Sequence, residues 1–130
     1  MPSFTDETTS EAAPEAVWKL LYDPARFPDW WAGIGSVDVA RDGEYTMYPE
    51  GYPDFPMAQT LRSERDRQRV TVSCMVSDLV FQWRLQPLAS GPGTTITVDV
   101  EIPAAEAARL DTQRDVISTS LRNLARLAAA

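Results

Sequence analysis

Between Ser36 and Pro103 apolar and polar residues alternate with a period of two, the pattern of strands with one buried and one wetted face. In "LVFQWRLQPL" Leu79, Phe81, Trp83 and Leu85 share one face, opposite Val80, Gln82, Arg84 and Gln86. In "TTITVDVEIP" Ile96, Val98, Val100 and Ile102 point inward, leaving Thr97, Asp99 and Glu101 to solvent. "RVTVSCMVS" gives Val70, Val72, Cys74 and Val76 as the inward set. Earlier, "SVDVA" and "EYTMY" flank an Asp-Gly hairpin signal at Asp42-Gly43, and "FPMAQTLRSE" follows. Tyr45 and Met47 oppose Glu44, Thr46 and Tyr48, while Met57, Gln59 and Leu61 oppose Ala58, Thr60 and Arg62. The connections between these runs are short, so successive strands are antiparallel neighbours. A polar, Thr-rich strand, "PSFTDETTS", opens the chain.

Elsewhere the period lengthens to that of helices. "APEAVWKLLYD" has Pro14 in its first turn, Glu11 and Glu15 near the positive end of the dipole, and Val17, Leu20 and Leu21 on one stripe. Asp23-Pro24 ends it, because a residue before proline is pushed out of helical geometry. A second short helix or turn covers "PARFPDWW", stopped by Pro28 and released at Gly33 and Gly35. At the other end Leu110, Arg114, Ile117, Leu121, Leu124 and Ala128 recur at three- and four-residue steps, a helix of five or more turns. The elements predict one α+β domain spanning residues 1–130.

Composition narrows what such a domain does. The 130 residues carry a formal net charge of −7, which repels a phosphate backbone, and the arginines of "RSERDRQR" are interleaved with Glu64 and Asp66 in what reads as a solvated turn. No nucleic-acid partner is expected. There is no histidine and one cysteine, Cys74. Ser-His-Asp and Cys-His nucleophile systems, histidine zinc sites and internal disulfides are therefore excluded. No phosphate-cradling glycine loop is present, no cofactor or metal is expected, and with no apolar run of membrane length or secretory pattern the default location is cytoplasmic.

"APEAVWKLLYDPARFPDWW", "FQWRLQPLASGPGTTITVDVEI" and "DVISTSLRNLARLA" resemble the first helix with its turn, the last two strands and the closing helix of the START-like (SRPBCC) superfamily, which includes polyketide cyclases, birch-pollen-allergen relatives and coenzyme Q-binding proteins. The resemblance covers nearly the whole chain. It implies a helix-grip fold: a seven-stranded curved antiparallel sheet wrapped around a long C-terminal helix, with two short helices after the first strand. It also implies a cavity between sheet and helix. The expected function is binding of a small hydrophobic, aromatic or polyketide-like molecule there, held for others or guided through cyclisation or dehydration. The alternative is a non-catalytic lipid or quinone carrier of the coenzyme Q-binding type. No stable membrane association is expected, and a homodimer stays open.

The expected ligand-binding residues are Trp31, Tyr45, Met47, Tyr52, Phe55, Gln59, Cys74, Trp83, Arg114 and Ile117. Tyr45, Gln59 and Cys74 are the polar exceptions on the inward strand faces, and a buried amide such as Gln59 needs a partner. Cys74 reads as a small buried hydrophobe, since no histidine stands ready to deprotonate it. Arg114 either pairs with Asp111 or Asp115 at the ragged edge of its stripe or presents its guanidinium to a ligand oxygen at the cavity mouth. The segment Tyr48–Pro56 holds three prolines and three aromatics and reads as a stiff cap beside that mouth. Of Trp30 and Trp31, one is expected to anchor the short helix on the sheet and the other, with Tyr52 or Phe55, to line the entrance.

Overall fold

The computed structural model describes residues 2–130. Seven strands form one antiparallel sheet: β1 (Ser3–Ser10), β2 (Ile34–Arg41), β3 (Glu44–Pro49), β4 (Met57–Glu64), β5 (Arg69–Cys74), β6 (Val80–Pro87) and β7 (Thr94–Glu101). Their order is β1-β7-β6-β5-β4-β3-β2, so a meander runs from β2 to β7 and the first strand closes on the last. Helix α1 (Pro14–Leu21) and a 3-10 turn at Pro24–Asp29 connect β1 to β2, and helix α2 (Leu110–Ala129) ends the chain after a second 3-10 segment at Ala104–Arg109. This is the α+β helix-grip architecture expected from the sequence.

The alternating pattern is realised nearly as written. Phe81, Trp83, Leu85, Ile96, Val98, Val100 and Ile102 are all buried, and they meet Ile117, Leu121 and Leu124 of α2 in a single core. Burying a large apolar side chain contributes roughly 1.5–3 kcal/mol, so this sheet-on-helix contact is the main stabilising layer. Val76 departs from the expectation: it is 58% exposed. β5 stops at Cys74, whose carbonyl accepts from the Asp78 amide at 2.9 Å, and Met75 donates to Ala58 O. The chain therefore turns before Val76 could take an inward position, and Ser77 and Leu79 are buried in its place.

Local chemistry explains the helix ends. α1 has Pro14 at its start and Glu15 in its first turn, and the Asp23 carboxylate then accepts from the Ala25 amide at 3.1 Å to open the next 3-10 turn. The corner after β1 is tied down by two hydroxyls. Ser10 Oγ donates to Ala125 O of α2 at 2.7 Å and accepts from Ala12 N at 3.1 Å, while Thr94 Oγ1 donates to Ala12 O at 2.8 Å. Among the described residues no helix is long and apolar enough to cross a membrane.

Gly93 sits against that corner with φ +122°, and a Cβ there would lie 2.6 Å from Ser10 O. Gly93→Ala is expected to lower stability by about 1–3 kcal/mol, checked by urea unfolding; an unchanged midpoint would contradict the tight approach.

Candidate functional site

The turn Asp29–Gly33 organises one end of the molecule. Pro28 and the 3-10 geometry bring Trp30 and Trp31 into a stack, with centroids 5.4 Å apart and planes 25° from parallel, where neighbours on a strand would point to opposite faces. Trp30 is the anchor: its Nε1 donates to Leu20 O at 3.1 Å, satisfying a carbonyl left free at the end of α1, and its ring meets Phe27 and Trp83 edge-on. Trp31 lies against Phe81 at 5.0 Å and Trp83 at 5.1 Å. α2 holds the same turn by its backbone. Ser120 Oγ accepts from Ala32 N at 2.9 Å while donating to Val116 O at 2.6 Å, and Asn123 Nδ2 donates to Trp30 O at 3.2 Å.

Beside Trp31 a cavity of about 150 Å³ lies between the sheet and the first turns of α2. Its wall is made by Trp31 to Ile34, by Tyr45 and Met47 of β3, Met57 and Gln59 of β4, Cys74, Ser77, Leu79 and Phe81. Arg109, Gln113 and Val116 complete it from the helix side. The inner residues Tyr45, Gln59, Cys74, Ser77 and Leu79 are buried, whereas Gly33 and Arg109 are exposed, so the mouth lies between the tryptophan turn and the start of α2.

The chemistry of the wall is neutral. Gln59 Nε2 donates to Met57 O at 3.5 Å and to Cys74 Sγ at 3.3 Å, which leaves the amide oxygen free of those contacts. Burial, and secondarily the neighbouring Cys74, push the Tyr45 phenol well above its ordinary pKa, so it stays protonated as a potential donor. Among the described residues Arg109 supplies the one formal charge in the lining, and its Nε is bound to Glu106 Oε2 at 2.9 Å. No carboxylate lines the cavity among the described residues. Gln113 Oε1 is buried with no hydrogen-bond donor.

Five of the ten residues singled out in the sequence come together here: Trp31, Tyr45, Met47, Gln59 and Cys74. The other five lie elsewhere. Trp83 and Ile117 are fully buried in the core behind the cavity, where the sheet face and helix stripe meet without a gap. Tyr52 and Phe55 are 66% and 56% exposed on a loop of two successive turns, closed by Tyr52 N to Pro49 O and Phe55 N to Tyr52 O. They sit at the mouth end of the sheet but outside the wall. Arg114 is exposed and faces away, its guanidinium carbon 5.3 Å from the centre of the Phe4 ring of β1. That cation–π contact replaces both expected roles, pairing with Asp111 or Asp115 and service at the mouth.

Helix phase explains the exchange. One residue is a rotation of about 100°, so Gln113 faces the cavity while Arg114 faces β1. Arg109, Gln113, Ser120 and Asn123 carried no sequence signal, since each looks like an ordinary polar surface residue until the 3-10 segment before α2 sets the helix phase, and Ser77 is turned inward by the turn after Cys74. Met57, Leu79 and Phe81 were readable as inward positions but not as cavity wall.

The model of the family described as polyketide cyclase / dehydrase and lipid transport matches residues 1–129. A search of curated protein sequences finds no match. Solved structures share the fold at low identity. The protein XoxI from Bacillus cereus superposes with a TM-score of 0.82 at 14% identity, over 98% of this chain and 95% of that one. A START superfamily protein from Mycobacterium smegmatis gives 0.74 at 12%, over 96% and 97%. The di-domain ARO/CYC protein BexL of the BE-7585A biosynthetic pathway gives 0.78 at 15%, over 97% of this chain and 46% of that one.

Two outcomes test this geometry. Ser120→Ala strips the half-buried Ala32 amide of its acceptor and is expected to cost about 1–3 kcal/mol in urea unfolding; a loss below about 0.3 kcal/mol would contradict the grip. The raised pKa of Tyr45 leaves its neutral form undisturbed at neutral pH and destabilises the fold only as pH climbs past the ordinary tyrosine range. Tyr45→Phe is therefore expected to leave the tyrosinate absorbance change below about pH 11 unaltered, and a reduced change would contradict the burial.

Proposed function

The chain belongs to the polyketide cyclase / dehydrase and lipid transport family, and from that premise we propose that it binds a small, uncharged, hydrophobic molecule of aromatic character in the cavity beside Trp31. The observation that carries this reading is the wall itself: Trp31, Phe81, Leu79, Met47, Met57 and Val116 supply apolar surface, and Tyr45, Gln59 and Ser77 supply uncharged hydrogen-bonding groups. A charged ligand buried there would lose its hydration against an otherwise uncharged wall, since Arg109 is exposed at the mouth and bound through Nε to Glu106.

The role is binding and shielding in preference to acid–base turnover. A general acid–base pair needs groups that titrate near neutral pH. The lining offers a phenol shifted upward and a buried thiol whose sulfur accepts from an amide. Arg114, which could have stabilised a developing oxyanion, stands on the β1 side. Reaction of a bound ligand would rest on holding it in a near-attack shape, with Tyr45 as a neutral donor. Volume weighs against the bulkier members of the chemical range. Sites for drug-sized ligands run to roughly 300–1,000 Å³, so a cavity of about 150 Å³ does not take a long acyl chain or a polycyclic ring system without rearrangement.

Isothermal titration with single-ring aromatics tests the reading. Saturable binding with a negative heat-capacity change is expected, weakened at least about tenfold in Val116→Phe, which fills the mouth, while circular dichroism stays unchanged. If no ring compound binds the folded protein, or the filled variant binds equally well, the cavity is not the site.

A further inference from the structure

The orphaned acceptor at the mouth adds a requirement that apolar walls do not impose. Resting on the binding site proposed above, we infer that the ligand is an uncharged one-ring aromatic bearing a ring hydroxyl, and that Gln113 on the first turns of α2 selects it by accepting that hydroxyl's hydrogen bond. Three observations converge on this class.

The first is size. A cavity on the order of 150 Å³ holds one benzene ring in an engineered protein interior, and this one measures about 150 Å³. Trp31 and Phe81, which meet edge to face at 5.0 Å with 81° between their planes, both line it, so a ring entering there has two aromatic neighbours to pack against.

The second is the hydrogen-bond inventory of the wall. Tyr45, Ser77 and Cys74 carry groups that both donate and accept, so each can turn to suit a neighbour. Gln59 has its amide nitrogen engaged by Met57 O and Cys74 Sγ. Gln113 Oε1 is an acceptor only, as the Gln59 oxygen is, but it alone of the two is buried with no donor reaching it. The strongest donor nearby is Arg109, four residues earlier and one turn away, and its Nε is turned to Glu106 at 2.9 Å. What the mouth lacks is therefore a donor. The terminal amide torsion of glutamine is broad, so the oxygen can swing to a hydroxyl arriving in the cavity.

The third is charge. Among the described residues the inner wall carries no charge, its one cation, Arg109, lying exposed at the mouth beside Glu106, and no carboxylate is there for an amine. A neutral hydroxyl supplies the donor that the buried Gln113 oxygen lacks and brings no ionic group to desolvate.

The experiment compares toluene, p-cresol and 2-naphthol by isothermal titration against the unaltered protein and Gln113→Leu, at a pH where p-cresol is un-ionised. The ratio of toluene to p-cresol dissociation constants is expected to fall about tenfold in Gln113→Leu, through weaker p-cresol binding, with toluene changed less than about twofold. 2-Naphthol is expected to bind the unaltered protein at least tenfold more weakly than p-cresol. A ratio unchanged by the substitution overturns the role of Gln113 while the cavity reading stands, because toluene still binds. Equal or tighter binding of 2-naphthol overturns the one-ring limit. Failure of toluene and p-cresol alike, with the protein folded, removes the cavity reading on which this inference rests.

Discussion

The stacking of Trp30 on Trp31 is the contact on which the rest of the structure turns. Six aromatic side chains, Phe27, Trp30, Trp31, Tyr45, Phe81 and Trp83, meet through it with centroid separations between 5.0 and 5.7 Å. Each such pair contributes about 0.5–1.5 kcal/mol beyond simple burial. The knot joins parts of the chain that share no backbone pairing: α1 through the Trp30 indole, β6 through Phe81 and Trp83, β3 through Tyr45, and α2 through Ser120 and Asn123. It forms only because Pro24, Pro28 and the 3-10 geometry bend the segment so that two neighbouring residues turn their rings the same way.

The cavity is a consequence of where that knot sits. From Ile117 onward α2 contributes Ile117, Leu121 and Leu124 to the same buried core as Phe81, Trp83, Ile96 and Val98 of β6 and β7. Toward its N-terminus the helix is preceded by the kinked segment Ala104–Arg109, with Glu106 in a non-helical conformation, and its facing residues are Arg109, Gln113 and Val116. The knot props the helix on one side while β3, β4 and β5 supply Tyr45, Met47, Met57, Gln59 and Cys74 on the other. Space is left between them. The same arrangement explains the electrostatics: the acidic residues that give the chain its charge of −7 are distributed over outward faces and turns, and the inner wall is uncharged except for the paired Arg109.

The sheet and its inward face were legible in the sequence because period-two alternation maps directly onto a half-buried strand: Phe81, Trp83, Ile96 and Val98 are buried as their spacing requires. Tyr45, Gln59 and Cys74 were legible for the same reason, being polar residues at inward positions. The helix side was not. A stripe of three- and four-residue steps is about 100° wide, so it cannot decide between Gln113 and Arg114 at its edge, and the contact of Arg114 with Phe4 depends on a strand more than a hundred positions away in the chain. Tyr52 and Phe55 drew notice as aromatics in a proline-rich loop, yet their exposure follows from turn geometry that the residue types alone do not dictate. Val76 failed for a similar reason, since one early turn after Cys74 reverses the alternation.

The central claim, that the space beside Trp31 is a binding site for a small ring, is tested most directly by intermolecular nuclear Overhauser effects between p-cresol ring protons and the methyl groups of the protein. The account predicts contacts to Met47, Met57, Leu79 and Val116, which line the cavity on opposite sides. Contacts confined to exposed apolar residues such as Val39, Met75 or Val76, or none at saturating p-cresol, would contradict it.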